Sequence, residues 1–192
     1  MTDPLDLHAW VDESVHLDAA PSGLYILAAA IGAAGVSLNP VRDVLRALVV
    51  GPHPRLHWRD ELESTRAETV DAIAELGLTH VVVVRADVDP KRQERARRKC
   101  LERLLFELSS RRVGRVWLEA RTPTLNRRDI KLVDAVRSTG ILADLSVDFA
   151  RPLEEPLLWV PDAVAGAVAS TRKKSRADYR ERLAHVLEEI EL

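Results

Sequence analysis

The first regular pattern along the chain is an alternation. Apolar Leu7, Ala9 and Val11 interleave with His8, Trp10 and Asp12, a period of two that predicts a strand rather than a helix. Burial of that strand on both faces places Asp12 at the carboxyl end of a sheet, where open α/β folds hold their ligands. Asp12-Glu13-Ser14 also suits a plain polar turn where a strand leaves the core. Pro21-Ser22-Gly23 marks a turn, and residues 24–31 predict a second strand, the hairpin partner of the first. Asn39 and Pro40 read as the cap and first position of a helix with Val41, Val44, Leu45 and Leu48 as its apolar stripe.

Past the loop Gly51-Pro52-His53-Pro54, residues 55–58 predict a short third strand. A polar helix follows, with Val70, Ile73, Ala74 and Leu76 inward and Gly77 as its stop. The valine run within residues 79–84 is the clearest buried strand. Asp89-Pro90 opens a helix running to about Ser110. The alternation then repeats. Residues 115–119 predict a strand, Leu125 or Asn126 to Ser138 a helix, and residues 142–149 another strand. Pro156 to about Ala169 predicts an apolar helix, and residues 174–191 an amphipathic terminal one. Two hairpin-like strands followed by strands alternating with helices define an α/β fold with a mixed central sheet and helices on both faces.

Composition narrows the picture little further. The 192 residues, 46% of them hydrophobic, suit one domain over 1–192. A formal net charge of −2 gives no bulk basic footprint, so nucleic-acid binding has to rest on a local patch. Cys100 is the sole cysteine, which suits a reducing cytoplasm. The acidic start is not a signal peptide, and residues 24–36 are too short and glycine-interrupted to span a bilayer, so a soluble cytoplasmic chain is expected. No Gly-rich phosphate loop, paired cysteines, His-rich metal motif or Gly-x-Ser-x-Gly elbow is present. A P-loop NTPase, a zinc protein and a serine hydrolase are thereby disfavoured.

The candidate chemistry is carboxylate chemistry. Asp12 and Glu119 fall near strand ends, and Asp162 interrupts the apolar stretch 157–168. A buried carboxylate is expensive unless it is paired, hydrogen-bonded or bound to metal. Asp162 fits a helix cap or an arginine partner as well as a ligand. Carboxylates converging from two strands and a helix suit Mg²⁺, which prefers hard oxygen donors and retains waters for substrate phosphates. His57, between Leu56 and Trp58, reads as structural or as a substrate or proton-transfer group. Arg121 fits a phosphate clamp or an ion pair with Asp129 or Glu119. Glu13 and Asp148 are possible accessory acids. The basic run 91–99 offers Arg95, Arg97 and Arg98 as nucleic-acid contacts, or else as a solvated helix face.

Asp12-Glu13-Ser14, the segment Leu56-His57-Trp58-Arg59-Asp60-Glu61, Leu118-Glu119 and the stretch 157–167 with its single Asp162 together resemble a large uncharacterised bacterial family with an RNase H-like fold. The resemblance implies a metal-dependent nuclease-type site made by Asp12, Glu119 and Asp162, served by Mg²⁺ or Mn²⁺ and acting on DNA or RNA. Val15 stands where that family often has glycine, and its helical glutamate has three candidate matches here, Glu61, Glu63 and Glu68. The alternatives are a catalytically silent RNase H-like module that binds nucleic acid or a protein partner, and an assembly role for the terminal helix.

Overall fold

Among the described residues, six segments become strands: β1 (Leu7–His16), β2 (Gly23–Ala33), β3 (Thr79–Val88), β4 (Val113–Glu119), β5 (Ser146–Ala150) and β6 (Leu187–Glu191). They form one mixed sheet in the order β5-β4-β1-β2-β3-β6. The structure is a computed structural model that describes residues 7–17, 23–34, 37–140, 142, 144–172 and 178–192. The β2 strand runs antiparallel to both of its neighbours, β1 and β3. On the far side of β1, β4 and then β5 add in parallel, and β6 adds in parallel to β3. The alternating β1 is therefore central, as its pattern requires.

Six α-helices among the described residues accompany the sheet: α1 (Asn39–Ala47), α2 (Glu63–Ala74), α3 (Gln93–Ser110), α4 (Pro123–Arg137), α5 (Trp159–Arg172) and α6 (Tyr179–Arg182). Trp10, Ile26, Ala28, Val82 and Val84 turn to one face, where they pack with Val70 and Ile73 of α2 and with α5. Ala9, Val11, Leu27, Val81 and Val83 turn to the other, against Leu101, Leu104 and Leu108 of α3 and Val133 of α4. Helices cover both faces, and strand alternation sorts each residue to its core. The small residues Ala163, Ala165, Gly166 and Ala167 let α5 lie close to its neighbours, and all are buried. At Gly166 a Cβ would overlap the Trp58 ring, so only glycine fits there. Gly77, at φ 69°, turns the chain from α2 into β3.

Several expectations need correction. The polar stretch Asp12-Glu13-Ser14 is no turn: β1 runs on to His16 because β2 continues to pair with it there. Residues 55–58 form a loop rather than a strand, with Leu56 and Trp58 buried against the α2–α5 side. Asn39 does not cap α1; Leu38 holds that position without a side-chain cap, and Ser37 Oγ accepts the Asn39 N–H at 3.4 Å. The strand expected over 142–149 begins only at Ser146. The terminal helix expected over 174–191 gives way to the single turn α6 and the strand β6, and residues 174–177 lie outside the described residues. Val186, Leu187 and Ile190 fit a helical stripe, but β3 offers an open edge whose backbone groups need partners. His80 N–H donates to Val186 O at 2.7 Å, and β6 then satisfies that edge. The turn residues Pro21 and Ser22 lie outside the described residues. No helix among the described residues is long and apolar enough to cross a membrane.

Candidate acidic site where β4 ends

A step in the sheet builds the site. The β1–β4 ladder stops at Val11–Leu118, whereas β1–β2 pairing continues to His16–Leu24. Asp12 and Glu119 thus stand side by side just past the last shared pair. Asp12 shares the face of Trp10, and Glu119 the face of Trp117, which stacks on Trp10 at 5.3 Å. That is also the face covered by α5, whose first turn carries Asp162. The three acids therefore come together, with Val11, Leu27, Arg55, His57, Arg97, Glu13 and Arg121, around one cavity of about 180 Å³.

Burial and repulsion dominate the electrostatics. Desolvation pushes the Asp12 carboxyl well above its ordinary range, and the charges of Glu119 and Asp162 push it further. The side-chain contact with Glu119 acts in the same direction, because it favours the neutral form of Asp12. Opposing this, Asp12 Oδ1 accepts from the Glu13 N–H at 2.7 Å. Asp162 is raised as well, first by burial and also by Glu119, against the lowering effect of the Trp58 N–H, His57 and Arg55. Its Oδ2 accepts that Trp58 N–H at 2.8 Å, which ties the 55–58 loop to α5. Asp162 makes no ion pair among the described residues, so its partner there is a backbone amide rather than an arginine.

The remaining expected residues divide between the cavity and its surroundings. His57 lines the cavity, and its Nδ1 meets Asp60 Oδ2 at 2.8 Å. This contact, together with the charge of His57, lowers the Asp60 carboxyl. Asp148 does not join the acids: it pairs with Arg115 at 3.2 Å, half-exposed on β5. Glu13 turns to the opposite face and is held by Arg97 and the Tyr25 hydroxyl. Arg97 is therefore no solvent-facing nucleic-acid contact; it is buried, with Asp129 Oδ2 at 2.9 Å. Arg95 and Arg98 remain exposed. Arg121 realises the ion-pair alternative, with Asp129 at 2.9 Å and Glu94 at 2.8 Å. Its Nε is buried without a hydrogen-bond partner, at the edge of the acidic cavity.

Three features escaped the pattern. Arg55 joins the cavity from the loop just before His57, and Arg66 of α2 anchors the same loop through Trp58 O at 2.9 Å. Nothing in the spacing of Arg66 announces that role. The third is the buried network of Arg97 and Asp129.

We find no family model that matches the chain and no curated protein that matches it. The donors of the site are all hard carboxylate oxygens, the kind Mg²⁺ and Mn²⁺ favour. Among the described residues, no group of three or more His, Cys, Asp or Glu side chains stands in metal-holding geometry. Mg²⁺ is commonly bound through one or two carboxylates with retained waters, so the Asp12–Glu119 pair fits it without a closed cage.

Proposed function

We propose that the chain is an RNase H-like, Mg²⁺- or Mn²⁺-dependent hydrolase of phosphodiester bonds in nucleic acid, working in the cytoplasm. Asp12, Glu119 and Asp162 are its metal-holding and catalytic acids. One observation carries the reading. Segments far apart in sequence bring three half-buried acids to one small cavity, where Glu119 and Asp162 both repel the charge of Asp12. Such an arrangement is unfavourable for the apo fold unless a cation or protons compensate it. The antiparallel β1–β2–β3 followed by parallel β4 and β5 beyond β1 is in keeping with the resemblance drawn from the sequence.

A divalent ion there supplies Lewis-acid stabilisation of phosphoryl oxygens and activation of water at neutral pH. The chain does the rest. Asp12, Glu119 and Asp162 would hold the ion between them, and Asp162 also fixes the loop that presents His57. Asp60 fixes the His57 ring through Nδ1, so that Nε2 is the nitrogen left to move a proton. Arg55 balances negative charge at the mouth.

The lack of a three-donor geometry favours a second reading, a catalytically silent module that binds nucleic acid or a protein. Thermal unfolding with and without Mn²⁺ separates the two. The wild type gains about 2.7 kcal/mol at a metal concentration a hundredfold above the dissociation constant. Asp12→Asn loses that gain together with any cleavage of oligonucleotides. Equal shifts in both proteins remove Asp12 from the ligand set, and no shift at millimolar metal leaves the silent module.

A further inference from the structure

A second, larger cavity of about 610 Å³ adjoins the acidic one and shares Glu13, His57 and Asp162 with it. Its remaining wall includes Ser14 and His16 from the extension of β1, Arg59 and Arg66, and Gly166 and Ser170 of α5. The extension of β1 past the β4 step is what gives this cavity its floor.

Arg66 is the unusual member. Its guanidinium is held in place by carbonyls, with Nε on Trp58 O at 2.9 Å and Nη2 on Arg59 O at 3.2 Å. It also lies over the Trp58 ring, 5.2 Å from the centroid. These partners fix the group without neutralising it. Among the described residues, neither Arg66 nor the exposed Arg59 forms an ion pair, whereas the buried Arg97 and the half-buried Arg42 and Arg121 all meet carboxylates. A positioned guanidinium with uncompensated charge beside a cavity suits a phosphate. The one aromatic residue with an extended ring in the wall, Trp58, is 9% exposed and packed on Tyr179, so it offers no face for a base to stack on.

We propose that this cavity is a phosphate subsite, in which Arg59 and Arg66 hold the backbone of a single polynucleotide strand beside the nucleotide at the acidic centre. Resting on the phosphodiesterase reading, it makes the substrate a chain with a flanking phosphate. Recognition is through the backbone and tolerates any base. A cavity of about 610 Å³ has room for one nucleotide unit with its phosphate.

The test is binding of a labelled single-stranded octanucleotide, followed by fluorescence anisotropy in EDTA at several salt concentrations. Arg66→Gln weakens binding about tenfold, and Arg59→Ala about threefold to tenfold. Each flattens the logarithmic salt slope by about 0.7, the value for one lost contact to a single strand. Inorganic phosphate competes only at far higher concentration. Unchanged affinity and slope in both variants overturn the subsite, as does a wild type that does not bind the strand. Competition by phosphate as effective as by the strand reduces it to a small-anion site and overturns the polynucleotide assignment. Should Arg66→Gln unfold because the loop loses its donor, Arg59→Ala, altered only at an exposed side chain, decides the matter. The Mn²⁺-dependent unfolding of the wild type is read separately, without the strand. Loss of the metal effect with retained dependence on Arg59 and Arg66 therefore sinks only the catalytic reading, and the converse sinks only the subsite.

Discussion

Asp12 and Glu13 are adjacent in β1 and meet opposite fates. Glu13 enters a network on the α3–α4 face in which every carboxylate faces a guanidinium: Arg97 bridges Glu13 and Asp129, and Arg121 bridges Asp129 and Glu94. Asp12 enters the α5 face, where the charges that act on it are two more acids. The same residue class is thus satisfied on one side of the sheet and frustrated on the other. Balanced burial ties elements together, whereas unbalanced burial marks a place that needs something from outside.

The strongest way to break this contrast is at Arg97. Burial alone would lower its pKa, but Glu13, Tyr25 and Asp129 together raise it above the ordinary arginine value, so it stays charged. Arg97→Met leaves Glu13 and Asp129 buried without their shared cation, and removing one member of a buried pair costs about 3–5 kcal/mol. Arg121 continues to serve Asp129, so the lower end of that range is expected. A urea-unfolding midpoint measures it. A loss below about 1 kcal/mol would show that the network is no more structural than a surface ion pair.

His80 sharpens the contrast by isolating burial from partnership. Both of its ring nitrogens are buried without a hydrogen-bond partner. Burial lowers its pKa from 6.5 to about 4. The folded state therefore refuses a proton that the unfolded chain accepts. Stability from this residue is full above pH 6.5, falls as pH drops, and levels off below about 4. Each tenfold difference in proton affinity is worth about 1.4 kcal/mol, so the full drop amounts to about 3 kcal/mol. Unfolding of the wild type and His80→Leu at pH 7.5 and 4.5 isolates this contribution, since other groups titrate in both. Identical pH dependence in the two proteins would rule it out.

The balanced half of the molecule was the less legible half in the sequence. The alternation of β1, the valines of β3 and the apolar run of α5 declare themselves, because strand and helix periods act on local residues. The carboxylates Asp12, Glu119 and Asp162 stood out because each interrupts or ends an apolar segment. Arg97 was hidden in a run of charges. Its helical phase was nevertheless available: counting back from Leu108, Leu104 and Leu101 places position 97 on the buried stripe of α3. Asp129 likewise precedes Leu132, Val133 and Val136 on the buried stripe of α4. Opposite charges on the inward faces of two helices are a pairing signal that a reading by charge clusters overlooks. The end of the chain failed for a different reason. Residues 187–191 carry no decisive period, and only the open edge of β3, fixed by pairings far away in sequence, selects a strand.

The smallest expected effect belongs to Asp148, an acid on the same sheet face as Glu119 but outside the cavity. Its side chain is 51% exposed, and its partner Arg115 is 50% exposed, at 3.2 Å. Water solvates both ions and salt screens them, so such pairs contribute about 0–1 kcal/mol. Asp148→Ala should therefore shift the unfolding free energy by no more than that, and added salt should erase the difference. It should also leave any Mn²⁺-induced stabilisation at its wild-type value, because Arg115 and not the acidic centre is its neighbour. The outcome bears on the comparison directly. If Asp148→Ala were to reduce the metal effect as Asp12→Asn does, proximity along the sheet edge would be enough to recruit an acid, and burial beside like charges would lose its standing as the mark of the site.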